Sequence, residues 1–273
     1  MDDGDQGAWI SSWHRSCHRL SALPFDAVDS RFGFDPTKVF DPVAEEYRSV
    51  RPGYPGRLYD ALEAIVGDLD GKAVADVGAG TGIATSALAA RGGRVVAVEP
   101  SLAMLGRFHW PAVAGRAEAL PLRSASHDLL TCAQAWHWVE PRHAVVECRR
   151  VLRTGGHLAL WWNISESGDT WLEEVESVSG VAPYGVGRHQ DDPDTLTFGD
   201  AFAGVQYRDV RWTWTVPVER WIKVATTRSS SVNRLRQSGG LPEDEMRAVL
   251  DRHFPNGQVT EVLTCHLAVA TAV

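Results

Sequence analysis

The sequence predicts an α/β fold built on a mostly parallel sheet, and three observations carry that expectation. Apolar, strand-like runs alternate with helical patterns from Gly56 to Trp162. A glycine-rich turn, Gly78-Ala-Gly-Thr-Gly82, separates the first apolar run from the helical pattern after it. The length, 273 residues, suffices to bury one sizeable core, and one domain is the default for an α/β chain of this size.

Residues 1–38 fit this alternation least. They begin polar and acidic, then scatter Trp9, Trp13, His14, Cys17, His18 and Leu20 without a period, and read as a disordered extension or a lid over the site. His14 and His18 can share a helix face, but no nearby Cys or acid completes a set of ligands, so no metal is expected. From Asp41 the pattern sharpens. Asp41 is placed to cap a helix from Pro42 to about Ser49, and Gly56–Val66 is a second helix with Leu58, Leu62, Ile65 and Val66 on its apolar face. Val74–Val77 is a buried strand, Ile83–Ala90 a helix, and Arg94–Val98 a second strand that ends in Glu99.

A short helix over Ser101–Arg107, a short strand over Ala112–Gly115 and a strand over His127–Ala133 follow. Glu140–Leu152 is a helix with Pro141 in its first turn, closed by Gly155 and Gly156, and His157–Trp162 is a fifth strand. This alternation implies right-handed crossovers. Beyond it, Thr170–Val178 reads as helix and Ala182–Asp194 as loop. Val205–Val216 alternates as a strand, Pro217 starts a helix, Leu241–His253 is another, and Gln258–Thr271 contains the closing strand.

The chemistry gathers at the glycine turn. Gly78, Gly80 and Gly82 leave the backbone free of β-carbons where the chain turns sharply, so a ligand can lie against the peptide units. Glu99 follows roughly 20 residues later, where a carboxylate at a strand end accepts from ribose hydroxyls. A dinucleotide fingerprint fails in both frames, because the sixth position is Ile83 or Thr85. A P-loop fails because no lysine follows Gly82 before the helix is finished. Ligands of parallel sheets bind at the strands' carboxyl ends, a rule that lines up Gly78–Gly82, Glu99, Ala117–Glu118, Gln134–Trp138 and Trp162–Asn163 along one rim.

The run Val74-Ala-Asp-Val-Gly-Ala-Gly-Thr-Gly82 resembles the first motif of class I S-adenosylmethionine-dependent methyltransferases, with Asp76 in its acidic position. Further landmarks are Phe40-Asp-Pro-Val-Ala-Glu-Glu-Tyr47, Arg51-Pro-Gly-Tyr-Pro55, Ala117-Glu-Ala-Leu-Pro121, Gln134-Ala-Trp-His-Trp138 and Arg150-Val-Leu-Arg-Thr-Gly-Gly156. Together they look like the small-molecule family that includes trans-aconitate-methyltransferase-like enzymes, over residues 39–163 and more loosely to 273. The resemblance implies a Rossmann-like, seven-stranded, mostly parallel sheet with an antiparallel C-terminal end and helices on both faces. It divides the domain into a cofactor-binding core, 39–163, and an acceptor cap that completes the sheet, 164–273.

It also implies S-adenosyl-L-methionine as cofactor, S-adenosyl-L-homocysteine as product, and methyl transfer to an O, N or C atom of a small metabolite. The cofactor residues carried over are Tyr47, Arg51, Asp76, Gly78, Ala79, Gly80, Gly82, Glu99, Pro100, Ala117, Glu118 and Gln134. Tyr47 is an aromatic lid and Arg51 a partner for a carboxylate of cofactor or substrate, or both pack this segment onto the sheet. Many relatives carry an acid where this chain has Arg116, so Glu118 or a backbone carbonyl near Ala117 takes over the adenine amino group. On the acceptor side, His137 is the candidate general base or else orients its loop. Trp136 and Trp138 are walls, one of them turned to the core, and Trp162 and Asn163 complete the acceptor set. The alternative is a protein that binds the cofactor without transferring methyl.

A formal charge of -8 disfavours nucleic acid as a partner. Cys17, Cys132, Cys148 and Cys265 form no C-x-x-C pair, which suggests reduced thiols in the cytoplasm, and no apolar run reaches the span of a bilayer. A monomer or homodimer acting on a small molecule is expected.

Overall fold

The computed structural model describes residues 40–106, 108–166, 170–180, 198–228 and 241–273. The extension 1–38 and the loop 182–194 lie outside the described residues. A 3-10 turn, Asp41–Val43, leads into α1 (Ala44–Val50), followed by α2 (Gly56–Val66), β1 (Ala73–Val77), α3 (Ile83–Ala90), β2 (Arg94–Glu99) and the short α4 (Leu102–Leu105). Then come β3 (Ala112–Ala114), β4 (His127–Ala133), a 3-10 turn Trp136–Trp138, α5 (Pro141–Val151) and β5 (Leu152–Ser165). The remaining elements are α6 (Thr170–Ser179), β6 (Phe202–Pro217), α7 (Val218–Thr226), α8 (Glu243–His253) and β7 (Gln258–Ala272).

All seven strands form one sheet in the order β3-β2-β1-β4-β5-β7-β6. Strands β1 to β5 pair in parallel, while β7 runs antiparallel to both β5 and β6, as the sequence implied. The order reverses beside β1, and that is where an open α/β sheet leaves a crevice for ligand. One face is filled by α2 and α3 with Leu58, Leu62 and Leu88, all fully buried. The other is filled by α5 with Ala144, Cys148 and Val151. A third cluster, with Trp171, Trp221, Met246 and Leu250, joins α6, α7 and α8 to the rim-side ends of β6 and β7 and takes in Val50 from α1.

Three boundaries differ from expectation for identifiable reasons. Asp41 does not cap α1; its carboxylate accepts from the Ser101 hydroxyl, which draws the start of the segment onto α4. Helix α4 is only four residues long and is capped by Ser101, whose Oγ accepts from the Met104 amide at 3.1 Å. Strand β5 begins at Leu152, opposite His127, and absorbs Gly155 and Gly156 in a register shift before His157 meets Leu129. The glycines are needed inside the strand: Gly155 has φ +78°, and a β-carbon on Gly156 would lie 2.9 Å from the Arg153 carbonyl.

Candidate active site

The glycine turn is held at its start by the neighbouring strand, since the amides of Gly78 and Ala79 both donate to the Val98 carbonyl at 2.8 and 3.2 Å. Gly78, Gly80 and Gly82 have φ of +67°, +57° and +88°, the left-handed region that β-carbons disfavour. The three differ in what surrounds them. A β-carbon on Gly78 would lie 2.6 Å from that of Ala135, and one on Gly82 would lie 2.7 Å from the Phe108 ring. At Gly80 the nearest atom is Met104 Cε at 3.9 Å, so the middle glycine keeps an open approach.

Glu99 closes the turn from the end of β2. Its side chain is buried; Oε2 accepts from the Gly80 amide and Oε1 from the Ser101 amide, each at 2.9 Å. Burial pushes its pKa up, the two amides pull it down, and Asp76 and Asp41 raise it further. Each carboxylate oxygen accepts one bond and has capacity for another, which suits the paired hydroxyls of a ribose. Pro100 follows, half-buried. Asp76 lies beneath the turn, fully buried, and accepts from Thr85 Oγ1 at 2.6 Å and Thr131 Oγ1 at 2.9 Å. Burial raises its pKa to about 6 against the pull of those hydrogen bonds.

Farther along the rim, Gln134 takes a left-handed backbone, φ +56°, directly after β4. Its Nε2 donates to the Asn163 carbonyl at 3.3 Å, while its Oε1 is buried with no hydrogen-bond partner. Thr81 Oγ1, inside the glycine turn, is likewise buried without one. Buried polar atoms are normally satisfied, so these two groups, one inside the glycine turn and one at the end of the neighbouring β4, fit a polar ligand such as the cofactor. Ala117 is buried, and Glu118 accepts from the Glu140 amide at 2.8 Å with Arg116 3.6 Å away. A cavity of about 380 Å³ adjoins the turn, lined by Glu45, Arg48, Thr81, Gly82, Phe108 and Trp110 among others.

Residues 40–55 arch over this rim. Phe40 meets the Tyr47 ring edge-on at 5.4 Å and Trp138 at 6.2 Å, and the Arg51 guanidinium stacks 4.4 Å over Tyr47. Arg51 also donates to Thr227, and Arg48 to the Met104 carbonyl at 3.0 Å. In the turn after β4, Trp136 is 1% exposed and belongs to the core, whereas His137 and Trp138 are only half-buried, with rings 5.0 Å apart. Trp136 is the ring of the pair that faces inward. Trp162 is buried in the same core cluster. Asn163 is buried too: Nδ2 donates to the Gly53 carbonyl at 3.4 Å and Oδ1 accepts from Trp212 Nε1 at 3.2 Å.

Sequence reasoning missed Thr85, Thr131, Thr227 and Phe108. A threonine on an otherwise apolar face, as at Thr85 in Ile83–Ala90 and Thr131 in His127–Ala133, was the available signal for a buried hydroxyl with a polar partner. Among the described residues no group of acids, histidines and cysteines could hold a metal, and no helix is long and apolar enough to cross a membrane.

A sheet in this order with one antiparallel strand, a glycine turn after β1 and a carboxylate after β2 defines a class I methyltransferase. Comparison with known proteins agrees. Residues 75–160 match the family described as a methyltransferase domain. Over 214 residues the chain is 36% identical to an uncharacterized methyltransferase of Mycobacterium tuberculosis, covering 76% of this chain and 83% of that one. Over 183 residues it is 31% identical to the ubiquinone biosynthesis O-methyltransferase of Idiomarina loihiensis, covering 61% and 70%. The fold is similar to that of a protein of Anaeromyxobacter dehalogenans assigned as a type II methyltransferase. The TM-score is 0.59 at 23% identity, over 81% of this chain and 97% of that one. The chain belongs to the class I S-adenosylmethionine-dependent methyltransferases.

Proposed function

We propose that this protein binds S-adenosylmethionine at the glycine turn and transfers its methyl group to an O, N or C atom of a small-molecule metabolite in the cytoplasm. The observation that carries this reading is the Glu99 carboxylate, buried at the end of β2 and bound to the amides of Gly80 and Ser101. When bound, the cofactor supplies an activated methyl on a sulfonium, so the protein's task is alignment, exclusion of water and removal of a proton. In this reading Glu99 orients the ribose, Gly80 admits the ligand to the backbone, and Gln134 Oε1 and Thr81 Oγ1 gain the partners they lack. The adenine side falls to Pro100, Ala117 and Glu118.

Tyr47 and Arg51 close over the rim, and residues 164–273 supply the acceptor cap. His137, half-buried and next to Trp138, is the candidate base for a hydroxyl or amine acceptor. The likeness to an O-methyltransferase supports a hydroxyl as the first acceptor to try. Incubation with radiolabelled methyl donor and a metabolite mixture, followed by mass analysis, tests the proposal. A labelled small molecule is expected. Donor binding with no labelled product from any mixture would favour a non-methylating cofactor-binding role.

A further inference from the structure

Asp76 occupies the acidic position of the glycine motif, yet both oxygens of its carboxylate are engaged by the protein. Oδ2 accepts from Thr85 Oγ1 at 2.6 Å and Oδ1 from Thr131 Oγ1 at 2.9 Å, and all three residues are fully buried. The three sit on different elements. Asp76 is in β1, Thr131 is its register partner in β4, and Thr85 lies in the first turn of α3, immediately past the glycine turn. The carboxylate therefore binds the strand before the turn to the helix after it, while Glu99 holds the turn's middle through the Gly80 amide. Three left-handed glycines at alternate positions, 78, 80 and 82, give the turn little conformational preference of its own, so its shape depends on such ties at both ends.

We infer that Asp76 is a positioning residue that sets the shape of the cofactor loop through Thr85 and Thr131, rather than a group that contacts the cofactor. This rests on the cofactor site proposed above. Among the described residues, the titratable groups facing Asp76 from neighbouring elements are Tyr54, Tyr59, Cys132 and Glu99, none of them a cation. The charge on Asp76 is thus met by the two threonine hydroxyls and by the Thr85 backbone amide. Hydrogen bonds to charged groups are worth more than neutral ones, so removing one hydroxyl should loosen the turn measurably.

The test uses the whole chain, with hydrogen exchange of residues 78–86 in the ligand-free protein and calorimetric binding of S-adenosylhomocysteine. Thr85→Val should speed exchange in that segment and weaken binding, each by about tenfold, the equivalent of one charge-assisted hydrogen bond. Thr85→Ser, which keeps the hydroxyl, should restore both. Adding Thr85→Val to Asp76→Asn should cost less than the sum of the two single changes, because both break the same tie. The inference is overturned if Thr85→Val and Thr131→Val leave exchange and affinity as in the parent while Asp76→Asn alone abolishes binding. The exchange measurement needs no ligand, so it reads the tie even if the parent fails to bind, a result that would count against the proposed function alone.

Discussion

Arg51 reaches across the molecule to Thr227, donating from Nε to the threonine hydroxyl at 3.0 Å and from Nη2 to its carbonyl at 2.6 Å. The contact joins the arch that precedes the glycine turn to the end of α7, and Arg220 adds a second tie by donating to the Val50 carbonyl at 3.1 Å. The two halves of the rim are therefore clasped by side chains 176 residues apart in sequence.

Breaking that clasp should free the arch without unfolding the sheet. Arg51→Ala is expected to raise hydrogen exchange in residues 40–55 by about tenfold, because a charge-assisted pair to a buried partner is lost. Cofactor added to the parent protein should slow exchange in the same segment. Unchanged exchange in both experiments would make the arch a rigid part of the core.

Much of this organisation was legible before the structure. The strands declared themselves by apolar runs bounded by glycine, and the order of landmarks from Phe40 to Gly156 implied the sheet in which they meet. Glu99 was readable because a lone acid at the end of an apolar strand has few roles. The clasp was not, because Arg51 to Thr227 is a tertiary contact that no local pattern encodes. The orientation of Trp136 and Trp138 escaped for a related reason: a tight 3-10 turn, rather than a strand or a long helix, decides which ring turns inward. The start of β5 is hidden in the sequence because Gly155 and Gly156 resemble a helix stop, whereas in the fold they permit a bulge.

The two tryptophans should separate stability from acceptor binding. Trp136→Ala empties a core position and is expected to cost about 3–5 kcal/mol in chemical denaturation. Trp138→Ala should cost far less and instead raise the KM for the acceptor. Equal destabilisation by both changes would contradict the division.

Asp76 gives the fold a pH signature. Its carboxyl titrates at about 6 in the folded protein against 3.8 as the ordinary value, so the folded state holds the proton more tightly. The contribution therefore favours the fold below about pH 4 and is lost as pH rises through about 6, on the order of 3 kcal/mol in total. Asp76→Asn removes this titration. The stability of the parent relative to the variant, from urea unfolding, should fall between pH 4.5 and 7; a flat difference would show that the carboxyl is not perturbed by burial.

His137→Gln tests chemistry at the rim. If the imidazole is the base, turnover should fall by roughly 10²-fold or more with cofactor affinity unchanged. Equal turnover would assign His137 to orienting the turn that carries Trp138.

The most direct measurement is calorimetric titration of the protein with S-adenosylmethionine, repeated with Glu99→Ala. One site per chain is expected in the parent and at least about a tenfold loss of affinity in the variant, since a buried carboxylate that accepts from ribose is worth more than a neutral hydrogen bond. Undiminished affinity in Glu99→Ala, or a parent that prefers a nicotinamide dinucleotide, would contradict it.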